Sequence, residues 1–406
     1  MMTPCVQPDN NRLWHWLFAF SLMLSLLCLP LSAKQLSSEQ IDEILYHIHT
    51  YYVEDLPLSH VKKDNFSELL TQLDDYSKFL DEHELEALFS AANGRYTGLG
   101  IEVEEVEDGV VIVDTLPGSP AEAAGIEGGD KLLAINTHDV KRKSIAEVSK
   151  LLREAQFSTI QLTVERANTE VTLALRRQEI TLRSVSSQLL PGGIGYVLLS
   201  SFNNHSYHDI ARHISMLNSH QGEPLKGLII DLRDNPGGTL NSAVAISDLF
   251  LQSGTIVSTR GRFYDANQRF FAAQGDILNG APMLVLINEQ SASAAEILAG
   301  ALQDNSRALI LGNRSYGKGS VQSLIPIGNG TTALKLTTAR YFTPSGQSIE
   351  GTGIQPDVIF SKQVLLELDK DAIMAGEKKV RLTFVANLDK HWQEAEQLLQ
   401  NHNLQQ

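Results

Sequence analysis

The sequence predicts a multidomain protein that mixes α/β and α+β parts. A short N-terminal helical segment leads into a small β-rich, barrel-like unit, and then into a larger core where a mixed sheet alternates with crossover helices. Three observations predict this. Apolar residues recur at helical spacing from Ser37 to about Ala92, and from Arg95 the pattern changes to short strand-like runs. From Ile194 onward, apolar strands alternate with amphipathic helices, which requires crossover connections and a partly parallel sheet. At 406 residues, 43% hydrophobic and 20% charged, the chain can fill two or three domain cores. The net charge of −15, with no basic cluster, argues against nucleic acid and against an anionic membrane surface as partners.

Residues Leu13 to Leu31 are nearly all apolar, follow Arg12, and end at Leu31-Ser32-Ala33. This reads as a secretory leader cleaved after Ala33. Leu31 fits poorly where a small residue is expected, and about 19 apolar residues can just span a bilayer, so an uncleaved signal anchor is the alternative. Both cysteines, Cys5 and Cys28, lie within residues 1–33, and removal of the leader would leave a cysteine-free exported chain.

In the N-terminal segment, Ile41, Ile44, Leu45, Ile48 and Tyr52 form one apolar stripe and Phe66, Leu69, Leu70 and Leu73 a second. Leu73-Asp74-Asp75-Tyr76-Ser77 reads as a turn, and Asp81 begins another helix. So small a helical segment is expected to pack on a partner surface or on another copy of the chain. The β-rich unit opens with one strand through Tyr96 to Ile101. Strands Val110–Asp114 and Lys131–Ile135, helix Ser144–Glu154, and strands Thr159–Glu165 and Glu170–Leu175 complete it. Gln178 to Pro191 reads as a linker. The core follows with strands at Ile194–Leu199, Gly227–Leu232, Met283–Ile287 and Ala308–Leu311, helices at His208–Leu217, Leu240–Leu251 and Ala294–Leu302, and strand-like runs Val321–Ile325 and Thr332–Thr338. Gln363 to Gln406 reads as amphipathic helices around a strand, Val380–Val385, with no function assigned.

Chemistry concentrates at Asn288-Glu289-Gln290-Ser291-Ala292-Ser293-Ala294, where strand hands over to helix. A helix start presents free N–H groups and partial positive charge, suited to a developing oxyanion. Either serine could be only an N-cap. A serine nucleophile needs a base, and Lys318 stands between Gly317 and Gly319, which let its backbone enter a tight site. Desolvation would lower its pKa and yield the neutral amine. Gln322 could hydrogen-bond that amine and hold its direction. Oxyanion donors are available from Ala294 and from the Gly237-Gly238 turn, the two glycines being alternatives. His205, His208 and His213 lack the spacing and partners of a metal site, Asp231 and Asp234 read as turn and capping residues, and neither metal nor cofactor is expected.

Gly98-Leu99-Gly100-Ile101, Pro117-Gly118-Ser119-Pro120-Ala121-Glu122-Ala123-Ala124-Gly125-Ile126 and Gly129-Asp130-Lys131-Leu132-Leu133-Ala134-Ile135-Asn136 together resemble a PDZ domain. The resemblance implies that Gly98, Leu99, Gly100 and Ile101 bind a peptide C-terminus by strand addition. The ligand is expected to end in an apolar side chain. Asp231-Leu232-Arg233-Asp234-Asn235-Pro236-Gly237-Gly238, Ser291-Ala292-Ser293-Ala294-Ala295-Glu296-Ile297 and Gly317-Lys318-Gly319-Ser320-Val321-Gln322 resemble the carboxyl-terminal processing peptidases, or tail-specific proteases, of peptidase family S41. Arg340-Tyr341-Phe342-Thr343-Pro344-Ser345-Gly346 matches as well.

That resemblance implies Ser293 as nucleophile, Lys318 as base, Gln322 as its support, and Ala294 with Gly237 or Gly238 as oxyanion donors. The expected domains are a leader or anchor (1–33), a helical segment (34–93), a PDZ domain (94–178), a Ser/Lys peptidase core (179–361) and a helical tail (362–406). The expected activity is endopeptidase cleavage near the C-termini of unfolded or tail-exposed proteins, with PDZ recognition or gating. Substrate C-termini are the expected partners. An adaptor protein, self-association through the terminal helices and inner-membrane attachment through an uncleaved leader are further candidates. The expected location is the periplasm. The competing reading is a PDZ adaptor on a non-catalytic scaffold, which would be marked by loss of Ser293 or Lys318. Both are present.

Overall fold

A computed structural model describes residues 36–56, 70–154, 159–273 and 275–359. The leader, Phe66 and Leu69 of the second apolar stripe, and the tail with Val380–Val385 lie outside the described residues. No helix among the described residues is long and apolar enough to cross a membrane.

The first helix, α1 (Ser38–Tyr51), is started by a reciprocal capping box between Ser37 and Gln40. Its stripe does not wait for a partner chain, contrary to the expectation above. Ile44, Ile48 and Tyr52 are buried against Ile327, Leu334 and Leu336 of the core. The core strands here present an apolar face that would otherwise be open to water, and α1 covers it. Strand β1 (Lys78–Leu80) and helix α2 (Glu82–Ala92), capped by Asp81, bring the chain to the β-rich unit.

That unit begins differently from the single strand expected. β2 (Arg95–Gly98) ends at Gly98, Gly100 takes φ +77°, and the chain turns into β3 (Ile101–Val106). The remaining elements are β4 (Gly109–Thr115), α3 (Pro120–Ala123), β5 (Lys131–Ile135), β6 (His138–Asp139), α4 (Ile145–Glu154), β7 (Ile160–Arg166) and β8 (Thr169–Leu175). The sheet order β3-β4-β5-β7-β8, with β6 on β5, is antiparallel throughout. Its own core includes Val110, Ile112, Leu132, Ile160 and Leu162.

The expected linker is in fact two strands, β9 (Gln178–Thr181) and β10 (Val185–Leu190). β9 pairs antiparallel with β2, Gly98 opposite Gln178, so the chain enters and leaves the β-rich unit through one ribbon. β10 pairs with β11 (Ile194–Leu199) at the edge of the core sheet.

The core continues with α5 (Ser206–Gln221), β12 (Gly227–Asp231), α6 (Leu240–Asp248), β13 (Thr255–Arg260), β14 (Arg269–Phe271), β15 (Met283–Ile287), α7 (Ala294–Asp304), β16 (Leu309–Gly312), β17 (Ser320–Ile327), β18 (Thr332–Phe342) and β19 (Val358–Ile359). The main sheet runs β10-β11-β12-β15-β16-β19, parallel except for β10. β12 and β15 are buried at every position, as strands covered on both faces must be. A second, antiparallel sheet, β1-β18-β13-β14 with β17 on β18, packs beside it. In α7, residues 294–302 are all buried. Asp231 stands opposite Leu286, so β12 and β15 finish level and their following loops lie side by side. Open parallel sheets place their sites at such carboxyl ends.

Candidate active site

The loop after β12 is anchored by Asp231, which is more than the turn residue expected. Fully buried, it accepts from the Tyr196 hydroxyl (2.6 Å) and from Arg233 Nε (2.9 Å) and Nη2 (2.5 Å). At Asp234, φ is +60°, and its N–H and carboxylate exchange hydrogen bonds with the Asn288 side chain (2.9 and 2.7 Å). Ala292 N–H donates to the Asn235 carbonyl (2.9 Å), and the Ser291 hydroxyl donates to the Leu232 carbonyl (2.8 Å). These bonds rivet the two loops together and commit the Ser291 side chain to structure.

Ser293 then sits at the start of α7 with φ 54° and ψ −112°, a region that favours glycine. The neighbouring loop after β12 comes close enough to need glycine itself. A Cβ on Gly237 would lie 2.9 Å from Ser293 Cβ and 3.0 Å from Ala294 N, and one on Gly238 would lie 1.9 Å from the Phe202 carbonyl oxygen. Gly237 N–H is already given to Asn235 Oδ1 (2.8 Å). The N–H groups of Gly238 and Ala294 donate to no described residue. Of the two glycines, Gly238 is therefore the one whose N–H is not already given to a described residue.

Glu296, to which the sequence assigned no role beyond its motif, joins the Ser293 and Lys318 loops. It is fully buried on the first turn of α7. Its carboxylate accepts from Ser293 N–H (2.7 Å), the Ser315 hydroxyl (2.6 Å), Gly317 N–H (2.7 Å) and Lys318 N–H (2.9 Å). Burial pushes its pKa up while these bonds pull it back. All four neighbours donate, so the site is built for the ionised carboxylate. The available signal was a lone acid at the third position of an otherwise apolar helix, a place where it can reach back past the cap.

The pKa of Lys318, the expected base, is driven down by burial and partly restored by Glu350, Asp74 and Glu296. The flanking glycines allow close approach, since a Cβ on Gly319 would stand 2.3 Å from Glu350 N. The Lys318 amine, however, hydrogen-bonds to neither Ser293 nor Gln322. It lies over the Tyr76 ring, 4.4 Å from the centroid. Gln322 departs from its expected place. Its amide donates to Ser320 Oγ (2.9 Å) and Thr337 Oγ1 (3.3 Å), because a bulge between Val321 and Gln322 sets it opposite Thr337. Tyr341 completes the site. Its N–H donates to the Gly319 carbonyl (2.6 Å), and its buried side chain lies beside Ser293, its pKa pushed up to about 12 by burial.

In the β-rich unit, Leu99 and Gly100 turn their carbonyls toward Ala121 and Leu116 (2.9 Å each), while their own N–H groups donate to no described residue. Leu99 is buried in the unit's core and Ile101 packs against it. His213 pairs with the Ser187 hydroxyl (2.7 Å).

Comparison with known proteins identifies the family. The family described as Peptidase family S41 matches residues 193–360, and the PDZ domain family matches residues 97–176. A carboxy-terminal-processing protease of Bartonella bacilliformis is 36% identical over 352 residues, covering 86% of this chain and 80% of that one. A carboxyl-terminal-processing protease of Picosynechococcus sp. is 34% identical over 345 residues, covering 81% of this chain and 82% of its own. The solved structure of the photosystem II D1 C-terminal processing protease shares the fold at a TM-score of 0.54 and 30% identity, covering 81% of this chain and 95% of that one.

Proposed function

The chain belongs to peptidase family S41 and is a serine protease of the carboxyl-terminal-processing type, and from that premise we propose that Ser293 and Lys318 form its catalytic dyad. The observation that carries the assignment is the Glu296 carboxylate, which ties the backbone of the strained serine to the backbone of the lysine.

In the reaction, neutral Lys318 removes the proton from Ser293 Oγ as that oxygen attacks the scissile carbonyl carbon. The N–H groups of Ala294 and Gly238 receive the oxyanion. The tetrahedral intermediate collapses, the C–N bond breaks, and the departing amine takes the proton from Lys318. Water then attacks the acyl-enzyme with Lys318 again as base, releasing the acid and restoring Ser293. Tyr341 holds the Ser293 hydroxyl, and Gln322 orients the amine once it swings to the serine.

The PDZ domain captures the substrate C-terminus at Gly98–Ile101 and adds it to the open edge of β3. Its ribbon supports a gating role. Asn204 N–H donates to the Ala92 carbonyl at the foot of the ribbon (2.9 Å), and Phe202 exchanges backbone bonds with Gly237 and Thr239 (2.9 Å each). The apolar stretch Leu13–Leu31 supports export, with the enzyme in the periplasm either free or held at the inner membrane.

Digestion of casein or a tagged peptide tests the dyad. Ser293→Ala and Lys318→Ala are each expected to lose at least about 10³-fold in kcat while binding a substrate C-terminal peptide as the wild type does. Lys318→Arg is expected to fail equally, because guanidinium stays charged. Turnover by Ser293→Ala at the wild-type rate would rule the assignment out.

A further inference from the structure

Building on the Ser293/Lys318 reading, we propose that Tyr76 is a positioning residue for the base: its ring is the resting berth of the Lys318 amine, which must leave it to reach Ser293. The contact is direct, with Nζ 4.4 Å from the ring centroid. No hydrogen bond draws the amine toward Ser293 or Gln322 in this state.

The ring is fixed by an unusually complete set of bonds for a turn. Asp74 Oδ1 accepts from the N–H groups of Tyr76 (3.1 Å) and Ser77 (2.8 Å), forming an Asx turn. Asp74 N–H donates to the Tyr52 hydroxyl at the end of α1 (3.0 Å), and Ser77 Oγ accepts from Thr337 N–H on β18 (3.0 Å). Tyr316, two residues before Lys318, lies beside Tyr76, and together with burial it raises the Tyr76 pKa. The N-terminal segment is thereby part of the active site.

The chemistry of the contact is selective. An aromatic face attracts an ammonium and offers a neutral amine nothing comparable. Burial works against the charge, and the charged or titratable groups facing the amine are Glu296 from α7, Glu350 from the loop before β19, Asp74 and Tyr76 from the turn, and Lys335 from β18, with Tyr316 beside Tyr76. The carboxylates support the proton and Lys335 opposes it. Tyr76 therefore keeps the lysine protonated while it is parked, and only the displaced amine can act as a base.

Two arms test this. In a Ser293→Ala background, trace acetylation of Lys318 across a pH series, quantified by mass spectrometry, reads its titration without any turnover. Tyr76→Leu, or Tyr76→Met if the leucine variant does not fold, is expected to lower the midpoint by about 0.5–1 pH unit, while Tyr76→Phe keeps it. In the active protein, the acid limb of kcat/KM is expected to move down by the same amount for the ring-less variants only. An unchanged or raised midpoint in Tyr76→Leu or Tyr76→Met, or the same drop in Tyr76→Phe, would overturn the berth. Absence of Lys318-dependent cleavage in the wild type would instead overturn the dyad, and the labelling arm would still decide the berth.

Discussion

A non-glycine residue at φ 54° and ψ −112° carries backbone strain of about 1–3 kcal/mol. Ser293 is held there by Glu296 from one side, Tyr341 from another and the riveted loops behind it. Replacing it with glycine removes the strain, whereas alanine keeps it. Both variants are expected to be inactive, but Ser293→Gly should unfold at higher urea than Ser293→Ala, with a difference of about 1 kcal/mol. Equal midpoints would mean the conformation is unstrained. At this scale the sequence singled out Ser293 and Lys318, the proposed dyad, because a nucleophile and a base need those side chain types whatever the fold. It did not reveal Glu296 as the tie between loops, since a capping-box acid is expected to reach only its own helix start. It did not reveal that Gln322 donates to Ser320 and Thr337 in this state, because a one-residue bulge leaves no mark in the pattern.

Among the elements, the PDZ sheet shows how one charge pair can secure a weak seam. Asp130, buried before β5, receives Arg166 Nε (2.7 Å) and Nη2 (2.6 Å) from the end of β7. The Arg166 bonds hold the Asp130 pKa below the ordinary aspartate range. A depressed carboxylate contributes stability above its unfolded pKa and loses it as pH falls through the folded one. Asp130→Asn is therefore expected to cost about 1 kcal/mol at pH 7, Arg166 being partly exposed to solvent, with the gap to wild type narrowing below about pH 4. Hydrogen exchange of β5 and β7 across that range checks it, and a pH-independent gap would assign the loss to packing. Strands such as β5 and β7 were legible because their apolar residues alternate or cluster. β9 and β10 were not. Gln178-Glu179-Ile180-Thr181 and Val185-Ser186-Ser187-Gln188 are polar and become strands only because β2 and β11 stand ready to pair.

At the scale of the whole molecule, the order of domains could be read from changes in apolar period, but their contacts could not. α1 looked like a helix in search of a partner because the apolar surface it covers, on β17 and β18, lies nearly 300 residues further along the chain. Long-range contacts of that kind leave no local trace.

The pairing of β2 with β9 has a further consequence for how the protein is put together. Gly98 and Gln178 face each other across a ladder, a few ångströms apart, so the PDZ domain is an insertion whose two ends already meet. Deleting residues 99–177 and joining the ends with Asn-Gly would replace a whole domain by a two-residue hairpin turn, with no long loop left to close. We expect the shortened enzyme to fold and to cleave small unstructured peptides through Ser293, while losing its preference for substrates with a free C-terminus. Competition between a peptide acid and its amide, run on both proteins, measures that preference. A shortened enzyme that still chooses the acid would place tail recognition in the peptidase core. The ribbon thus marks the single seam at which the PDZ domain is set into the rest of the chain.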